Sequence, residues 1–182
     1  MIVSPRPSAA KAARERGRQR SLGRTNPWGC ARAQPARHFI GCELYQAGIA
    51  TLLYHLKPAD RNIAIDHGDA RDLLTALPKG SVNRLLLPHP DPWPKARHHK
   101  RRILNKEFLD EERRVLEPAG EFWFVTDWPD YAEAGLEVLR SHEGFNVLQT
   151  PAPAWCAQTK YQQKAAKAGR MAVFIVGQPI KH

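Results

Sequence analysis

The sequence lacks the features that would place it in a membrane or in the secretory pathway. No apolar run approaches the ~18 residues that a membrane-spanning helix needs, which argues against an integral membrane protein. The first residues, MIVSPRP, contain no apolar stretch of the kind found in secretory signals. Only three cysteines are present (Cys30, Cys42 and Cys156), and none forms a C-x-x-C pair, so neither a disulfide framework nor a zinc cluster is expected. These absences predict a cytoplasmic protein without a metal site.

Positive charge is abundant but unevenly distributed. The 182 residues fit one domain, and a hydrophobic fraction of 42% is enough for a packed core. The net charge of +10 divides into +8 for residues 1–40, +5 for residues 95–102 and −3 for the remainder. Two concentrations of positive charge on a mildly acidic body are typical of a nucleic-acid-binding protein.

Residues 1–37 show neither a helical nor a strand period. Ala, Arg, Gly, Pro and Ser dominate this segment, and any helix within it would have no apolar face to bury. We therefore predict a basic, disordered leader over residues 1–37 and a folded domain over residues 38–182.

From residue 38 onward, short apolar strands alternate with helices. The pattern predicts strands at 38–44, 62–65, 82–87, 121–125, 145–148 and 171–176, and helices at 47–56, 71–77, 105–116 and 129–141. This alternation indicates an α/β fold with a mostly parallel sheet and helices on both faces. Glu43, Asp69 and Asp91 follow three successive strands, at the edge where open α/β sheets bind ligands. Helix N-capping is the alternative role for each of these acids.

The segment LLLPHPDPWPKARHHKRR, residues 85–102, carries the most informative chemistry. Three prolines bracket Asp91 and Trp93, and proline restricts both itself and the residue before it, so this loop should be stiff. Five cations follow within eight residues and could engage several phosphates. A solvated charged loop is the alternative. His98 and His99 are adjacent and cannot both face one ion on a regular element, so they do not predict a metal site.

Three stretches together resemble the bacterial tRNA (guanine-N7-)-methyltransferase family: PDPWPKARHHKRR, then FWFVTDW at 122–128, then Tyr131-Ala132-Glu133. The resemblance runs from about Gln34 to about Val176. It implies a Rossmann-like class I methyltransferase fold. It also implies transfer of a methyl group from S-adenosylmethionine to N7 of a variable-loop guanine in tRNA.

The resemblance also assigns roles to individual residues. Glu43 corresponds to the acid that holds the cofactor ribose, Asp69 to the residue near the adenine, and Asp91 to the catalytic aspartate, which also lies at the cofactor. Lys95 and Asp127 correspond to positions that hold the target nucleotide. RNA contact is implied for Arg97, His98, His99, Lys100, Arg101 and Arg102. Further substrate contact is implied for Thr159, Lys160, Tyr161 and Gln162.

The carboxylates suit this chemistry. N7 of guanine carries a lone pair, so no proton has to be removed before it attacks. The enzyme must align N7 with the methyl group and stabilise the positive charge that moves onto the purine. A carboxylate that accepts guanine N1–H and N2–H₂ binds more strongly as the ring becomes cationic. Asp91 and Asp127 are the candidates for this role.

The sequence departs from the family pattern upstream of His38. The family has an acid followed by closely spaced glycines there, whereas no two of the 12 glycines here are separated by a single residue. We therefore expect the first, central strand of the sheet to be missing. Our hypothesis is that an altered leader has replaced it. Gln162 stands where the family has an acid, and it keeps an acceptor oxygen but loses the charge.

Two other functions stay open at this point. A catalytically inactive, RNA-binding remnant of the family would keep the basic loop without holding cofactor. A basic nucleic-acid-binding protein of unrelated function is supported by composition alone. The sequence leaves the oligomeric state open, with a monomer as the simpler expectation.

Overall fold

The computed structural model describes residues 2–5, 28–153 and 169–180, with residues 2–5 described by their backbone alone. Seven strands form one sheet in the order β3-β2-β1-β4-β5-β7-β6. The strands are β1 Ile2–Pro5, β2 Phe39–Cys42, β3 Ile63–Asp66, β4 Val82–Pro88, β5 Leu116–Thr126, β6 Phe145–Thr150 and β7 Val173–Pro179. The helices are α1 Gly29–Ala33, α2 Gln46–Tyr54, α3 Ala70–Ala76, α4 Lys106–Val115 and α5 Pro129–Arg140, and Ala96–Arg101 form a 3-10 helix.

Five of the seven strands run in the same direction, and β1 and β7 run opposite to them. β2 pairs with β3 in parallel and β4 pairs with β5 in parallel, whereas β7 runs antiparallel to both of its neighbours. Each of the strands and helices predicted from residue 38 onward is present, with ends that differ by a few residues. The predicted α/β class is therefore confirmed.

The centre of the sheet differs from the prediction. We expected a missing central strand, but Ile2–Pro5 lies between β2 and β4 and runs antiparallel to both. Ile2 is opposite both Gly41 and Leu86, so β1 begins at the edge where β2 and β4 end. Without a strand in this position, β2 and β4 would leave two rows of backbone N–H and C=O groups unpaired. A short apolar segment from elsewhere in the chain satisfies these groups, although its direction is reversed.

β4 and β5 form the middle of the core because both of their faces are covered, as is usual for parallel strands. Leu85 and Phe122 belong to the larger cluster, which also contains buried side chains of α3, α4 and α5. Leu86 and Trp123 belong to a smaller cluster that they share with β7. Successive residues of each strand thus belong to different clusters, as the two-residue period of a strand requires. Burial of both faces holds the carboxyl ends of β4 and β5 in fixed positions.

The packed domain begins before residue 38. Trp28 is 1% exposed, and its indole N–H donates to the carbonyl oxygen of Leu52 over 3.0 Å. Gly41 makes room for this ring, since a Cβ there would lie 2.4 Å from Trp28 Cη2. Arg32 forms an ion pair with Asp60, and this hydrogen bond lowers the pKa of Asp60. Residues of the sheet and of the packed core thus also occur before the predicted boundary at residue 38, whereas most of the predicted leader, residues 6–27, lies outside the described residues.

Candidate active site

Acidic side chains gather where the parallel strands end. Glu43 follows β2, Asp66 ends β3, and Asp127 follows β5. The loop that carries Asp91 follows β4. Because the carboxyl ends of parallel strands meet at one edge of a sheet, these four acids belong to one edge, as the sequence predicts for Glu43 and Asp91.

Glu43 is held by the start of α2. Its backbone N–H donates to the carbonyl oxygen of Asp66 over 3.1 Å, and its Oε1 accepts from the Tyr45 N–H over 2.9 Å. A Cβ at Gly48 would lie 2.6 Å from Glu43 Cδ, so only glycine lets the carboxylate lie over the first turn of α2. The half-buried carboxylate is thus an oriented hydrogen-bond acceptor at the edge of the sheet.

Asp69 serves as the N-cap of α3. Its Oδ1 accepts from the Arg71 N–H over 2.9 Å, and its Oδ2 lies 3.4 Å from Arg71 Nη1. This geometry is the N-capping alternative considered for Asp69, and it occupies part of the carboxylate's acceptor capacity. The ligand role that the resemblance implies for Asp69 stays a prediction.

Asp66 is an edge acid that sequence reasoning missed. The Cys42 thiol lies 3.5 Å from Asp66 Oδ2 and 3.2 Å from the carbonyl oxygen of Gly68. Burial raises the pKa of Cys42 to about 12, and the neighbouring carboxylate adds to the shift, so the thiol keeps its proton. The signal for Asp66 was available, because it is the acid that ends the strand IAID, three residues before Asp69.

The loop after β4 is held in an uncommon backbone conformation. His89 (φ 48°) and Trp93 (φ 43°) both adopt positive φ, and they stand two residues on either side of Asp91. Left-handed backbone is costly for bulky residues and persists only where the surroundings hold it. The His89 N–H donates to the carbonyl oxygen of Val125 over 2.7 Å. The Trp93 ring lies 4.9 Å from the Arg101 guanidinium and 5.8 Å from the His98 ring.

These contacts leave Asp91 exposed at the tip of the loop. The proline-stiffened loop that the sequence predicts is therefore stiffened further by residues on both sides of the acid.

Arg102 differs from the predicted RNA contact. Its side chain is 7% exposed, its Nε donates to the carbonyl oxygen of Pro92 over 2.9 Å, and its Nη2 forms an ion pair with Asp130. The guanidinium also lies 4.7 Å from the centre of the Tyr131 ring. The hydrogen bond from Arg102 lowers the pKa of Asp130. Arg102 therefore connects the Asp91 loop to α5 and is not presented to a phosphate.

The remaining cations of the basic run lie on the surface. Lys95, Arg97, Lys100 and Arg101 are exposed along the 3-10 helix and the residue before it. His98 and His99 are half-buried, and His99 Nε2 lies 3.7 Å from Asp130 Oδ2. Four exposed cations directly after the Asp91 loop form a surface that suits a chain of phosphates.

Asp127 is engaged by two groups that sequence reasoning missed. Its Oδ1 lies 3.2 Å from His89 Nδ1, and its Oδ2 accepts from Arg170 Nε over 3.0 Å. Burial acts to raise the pKa of Asp127, but the hydrogen bonds from Arg170 and His89 outweigh it and the pKa is lowered. Burial lowers the pKa of His89, although its contact with Asp127 opposes the shift. His89 is therefore neutral near pH 7, while Asp127 is ionised.

Four of the predicted substrate contacts cannot be placed. Thr159, Lys160, Tyr161 and Gln162 lie outside the residues that the structure describes. Within residues 2–5, 28–153 and 169–180, no three His, Cys, Asp or Glu side chains are grouped so that they could hold a metal ion. No helix in this part of the chain is long and apolar enough to cross a membrane.

Comparison with known proteins identifies a family. A family model described as a methyltransferase matches residues 25–175. A tRNA (guanine-N(7)-)-methyltransferase of Paracoccus denitrificans is 40% identical over 144 residues, which are 78% of this chain and 61% of the relative. Its counterpart in Nitrosococcus oceani is 43% identical over 142 residues, which are 76% of this chain and 60% of the relative. The chain thus spans about three fifths of the length of these curated relatives.

Solved structures share the fold at low sequence identity. A precorrin-6y C5,15-methyltransferase from Geobacter metallireducens has a TM-score of 0.54 at 16% identity, and the match covers 88% of this chain and 77% of that one. A tRNA (m1A58) methyltransferase from Aquifex aeolicus has a TM-score of 0.52 at 14% identity, with 79% and 53% covered. These likenesses confirm the Rossmann-like class I methyltransferase fold that the sequence predicts.

Proposed function

The chain belongs to this methyltransferase family, and from that premise we propose that it transfers a methyl group from S-adenosylmethionine to N7 of a guanine in tRNA. The observation that carries the proposal is the loop after β4. It presents an exposed carboxylate, Asp91, and four exposed cations follow it in sequence. A carboxylate suits a purine that becomes cationic, and the cations suit the phosphates of the RNA that delivers it.

The edge acids fit one half of the cofactor. When bound, S-adenosylmethionine supplies a methyl group on a positively charged sulfur. The oriented carboxylate of Glu43 is a suitable acceptor for ribose hydroxyls, and Asp69 and Asp91 would complete the contacts at the same edge. The half of S-adenosylmethionine that carries the amino acid has fewer candidate contacts. β1 is reversed, so among the described residues no glycine loop leads from a central strand into a helix at this edge.

The protein's own residues have two tasks in the methyl transfer. N7 attacks with a lone pair that it already has, so a general base is not required. The first task is to hold the guanine in line, for which Asp127 accepts from N1–H and N2–H₂ and Lys95 contacts the nucleotide. The second is to stabilise the charge that develops on the purine, for which Asp91 is our candidate. Only interactions that strengthen in the transition state accelerate the reaction, and the attraction between Asp91 and a cationic ring is of this kind.

The partner is tRNA. Arg97, Lys100 and Arg101 contact its phosphates, and His98 and His99 support the turn that carries them. Thr159, Lys160, Tyr161 and Gln162 would add contacts to the substrate from the later segment. A protein that modifies tRNA works where tRNA is found, so we place it in the cytoplasm.

A second function is favoured by one specific observation. The reversed β1 leaves the amino-acid half of the cofactor without an evident cradle among the described residues. A chain of this kind could bind tRNA through its cations and transfer nothing. The alternative is an RNA-binding remnant of the family.

The proposal is tested by single-turnover transfer of labelled methyl to unmodified tRNA. Asp91→Asn should lower the rate by roughly 10²–10³-fold, because asparagine keeps the size and one acceptor but loses the charge. Its affinity for tRNA should stay close to that of the wild type, since phosphate contacts supply most of the binding. Asp72→Asn, which changes an exposed acid on α3, is the matched control and should leave the rate unchanged.

Two outcomes separate the functions. A wild-type chain that binds tRNA but neither transfers methyl nor shows heat of binding for S-adenosylmethionine in calorimetry is the remnant. An active wild type with an equally active Asp91→Asn would show that Asp91 only shapes its turn.

A further inference from the structure

The Asp127 carboxylate is held by two side chains that come from different parts of the chain. His89 follows β4 and contacts Oδ1, and Arg170 precedes β7 and donates to Oδ2. We infer that His89 and Arg170 are positioning residues that fix the orientation of Asp127 and thereby set the selection of guanine. This inference rests on the proposed function for the identity of the substrate.

His89 cannot easily turn away from Asp127. Its side chain is 5% exposed, and its backbone N–H is tied to the carbonyl oxygen of Val125 on the strand that leads to Asp127. Since an ionised carboxylate only accepts hydrogen bonds, the neutral ring must carry its proton on Nδ1, the atom 3.2 Å from Oδ1. The contact therefore defines both the tautomer of His89 and the direction of the Asp127 carboxylate.

Arg170 supplies the charge. It follows Gly169, whose φ of 71° is a left-handed conformation that glycine adopts without strain. Its guanidinium lies 3.0 Å from Asp127 Oδ2 and 6.0 Å from the centre of the Trp128 ring. Two side chains, Arg170 and His89, act on the Asp127 carboxylate beside its own backbone N–H, and these hydrogen bonds together lower the pKa of Asp127 against the effect of burial.

This arrangement leaves acceptor capacity for a base. An ionised carboxylate has about four lone-pair sites, and the two side-chain contacts use one on each oxygen. The remaining site on each oxygen can accept from N1–H and N2–H₂ of guanine side by side. Inosine offers N1–H without the amino group, and adenine offers an acceptor at N1. A site built to receive two donors discriminates against a base that lacks one of them.

The first experiment follows the Asp127 carboxyl by NMR titration and does not depend on activity. In Arg170→Gln the pKa of Asp127 should rise relative to the wild type, because the opposite charge is lost. Arg140→Gln, which removes an exposed arginine from α5, is the control and should leave it unchanged. If Arg170→Gln does not change the pKa of Asp127, the role of Arg170 is refuted.

The second experiment measures methyl transfer to tRNA that carries guanosine or inosine at the target position. In His89→Leu, kcat should fall on the order of 10²-fold, as expected for a misplaced contact group, and the preference for guanosine over inosine should narrow. His89→Asn keeps a side-chain N–H donor and should recover part of both. The dissociation constant for tRNA should stay unchanged in each variant.

The outcomes distinguish this inference from the proposed function. His89→Leu with wild-type kcat and wild-type guanosine preference would overturn the role of His89, even in an active enzyme. If the wild type transfers nothing, the proposed function fails. The titration of Asp127 in Arg170→Gln and His89→Leu then decides whether the two residues hold the carboxylate.

Discussion

Glu112 should destabilise the protein, and Glu112→Leu should raise the free energy of unfolding. This residue lies on the buried face of α4 beside Phe108, Leu109 and Val115. Its side chain is 0% exposed, and neither carboxyl oxygen has a hydrogen-bond partner among the described residues. Burial raises the pKa of Glu112 well above its ordinary value, so the group is neutral in the folded protein at pH values where it is ionised in the unfolded chain.

The expected gain in the free energy of unfolding of Glu112→Leu has a constant part and a part that depends on pH. Leaving a buried polar group without partners costs about 1–3 kcal/mol, which leucine avoids at similar volume. The pKa of Glu112 is higher in the folded than in the unfolded state, so the folded state binds more protons. Stability is therefore greatest below the unfolded pKa, ~4.3, and is lost as the pH rises toward the folded pKa, at up to about 1.4 kcal/mol per pH unit.

Urea denaturation at pH 5, 6, 7 and 8 measures both parts. Glu112→Leu should be more stable than the wild type at every pH, and its advantage should grow with pH. Glu112→Gln removes the titrating carboxyl group but keeps a buried polar side chain. Its stability advantage over the wild type should therefore also grow with pH, but the constant part of that advantage should be smaller than for Glu112→Leu. Glu107→Gln, at an exposed position on the same helix, should change little. An advantage of Glu112→Leu that does not vary with pH would refute the reasoning.

Three further predictions follow from single contacts. Gly41→Ala should lower the free energy of unfolding in urea by roughly 1–3 kcal/mol, because the new Cβ would lie 2.4 Å from Trp28 Cη2. Arg101→Ala should weaken tRNA binding and reduce the slope of log K against log salt by about 0.9 if one phosphate contact is lost, and an unchanged slope would exclude such a contact. Arg102→Ala should instead lower the melting temperature, since this buried guanidinium joins Pro92 to Asp130.

The fold from residue 38 onward could be predicted because its signals are local. A run such as Val82–Leu87 has the length and apolar character of a buried strand, and Pro129 at the start of α5 marks a helix N-terminus. β1 could not be predicted in this way. Four residues are too few to show the periodicity of a strand. The pairing of β1 with β2 and β4 depends on the position between these two strands, which exists only in the folded sheet. Trp28 was missed for a similar reason, because a single buried aromatic residue within a basic, proline-rich stretch gives no periodic pattern.

The candidate site likewise has a part that could be predicted from the sequence and a part that could not. The constrained loop around Asp91 and the exposed cations after it could be predicted because one continuous segment carries the prolines and the charges, whereas the roles of these residues stay predictions. The contacts around Asp127 could not, since His89 and Arg170 are 38 and 43 residues away from it in sequence. No spacing rule connects three such positions, and only the order of β4, β5 and β7 in the sheet brings them together.

Arg102 shows why charge counting alone misassigns residues in such a loop. The five cations of residues 95–102 are equivalent in sequence, and each could contact a phosphate. The left-handed turns at His89 and Trp93 have an energetic cost, so the loop needs contacts that hold it closed. Arg102 provides them by joining the backbone of Pro92 to Asp130 and the Tyr131 ring. One cation of the run is therefore used inside the protein to hold the Asp91 loop, and the other four remain exposed on the surface, where we propose that they contact RNA.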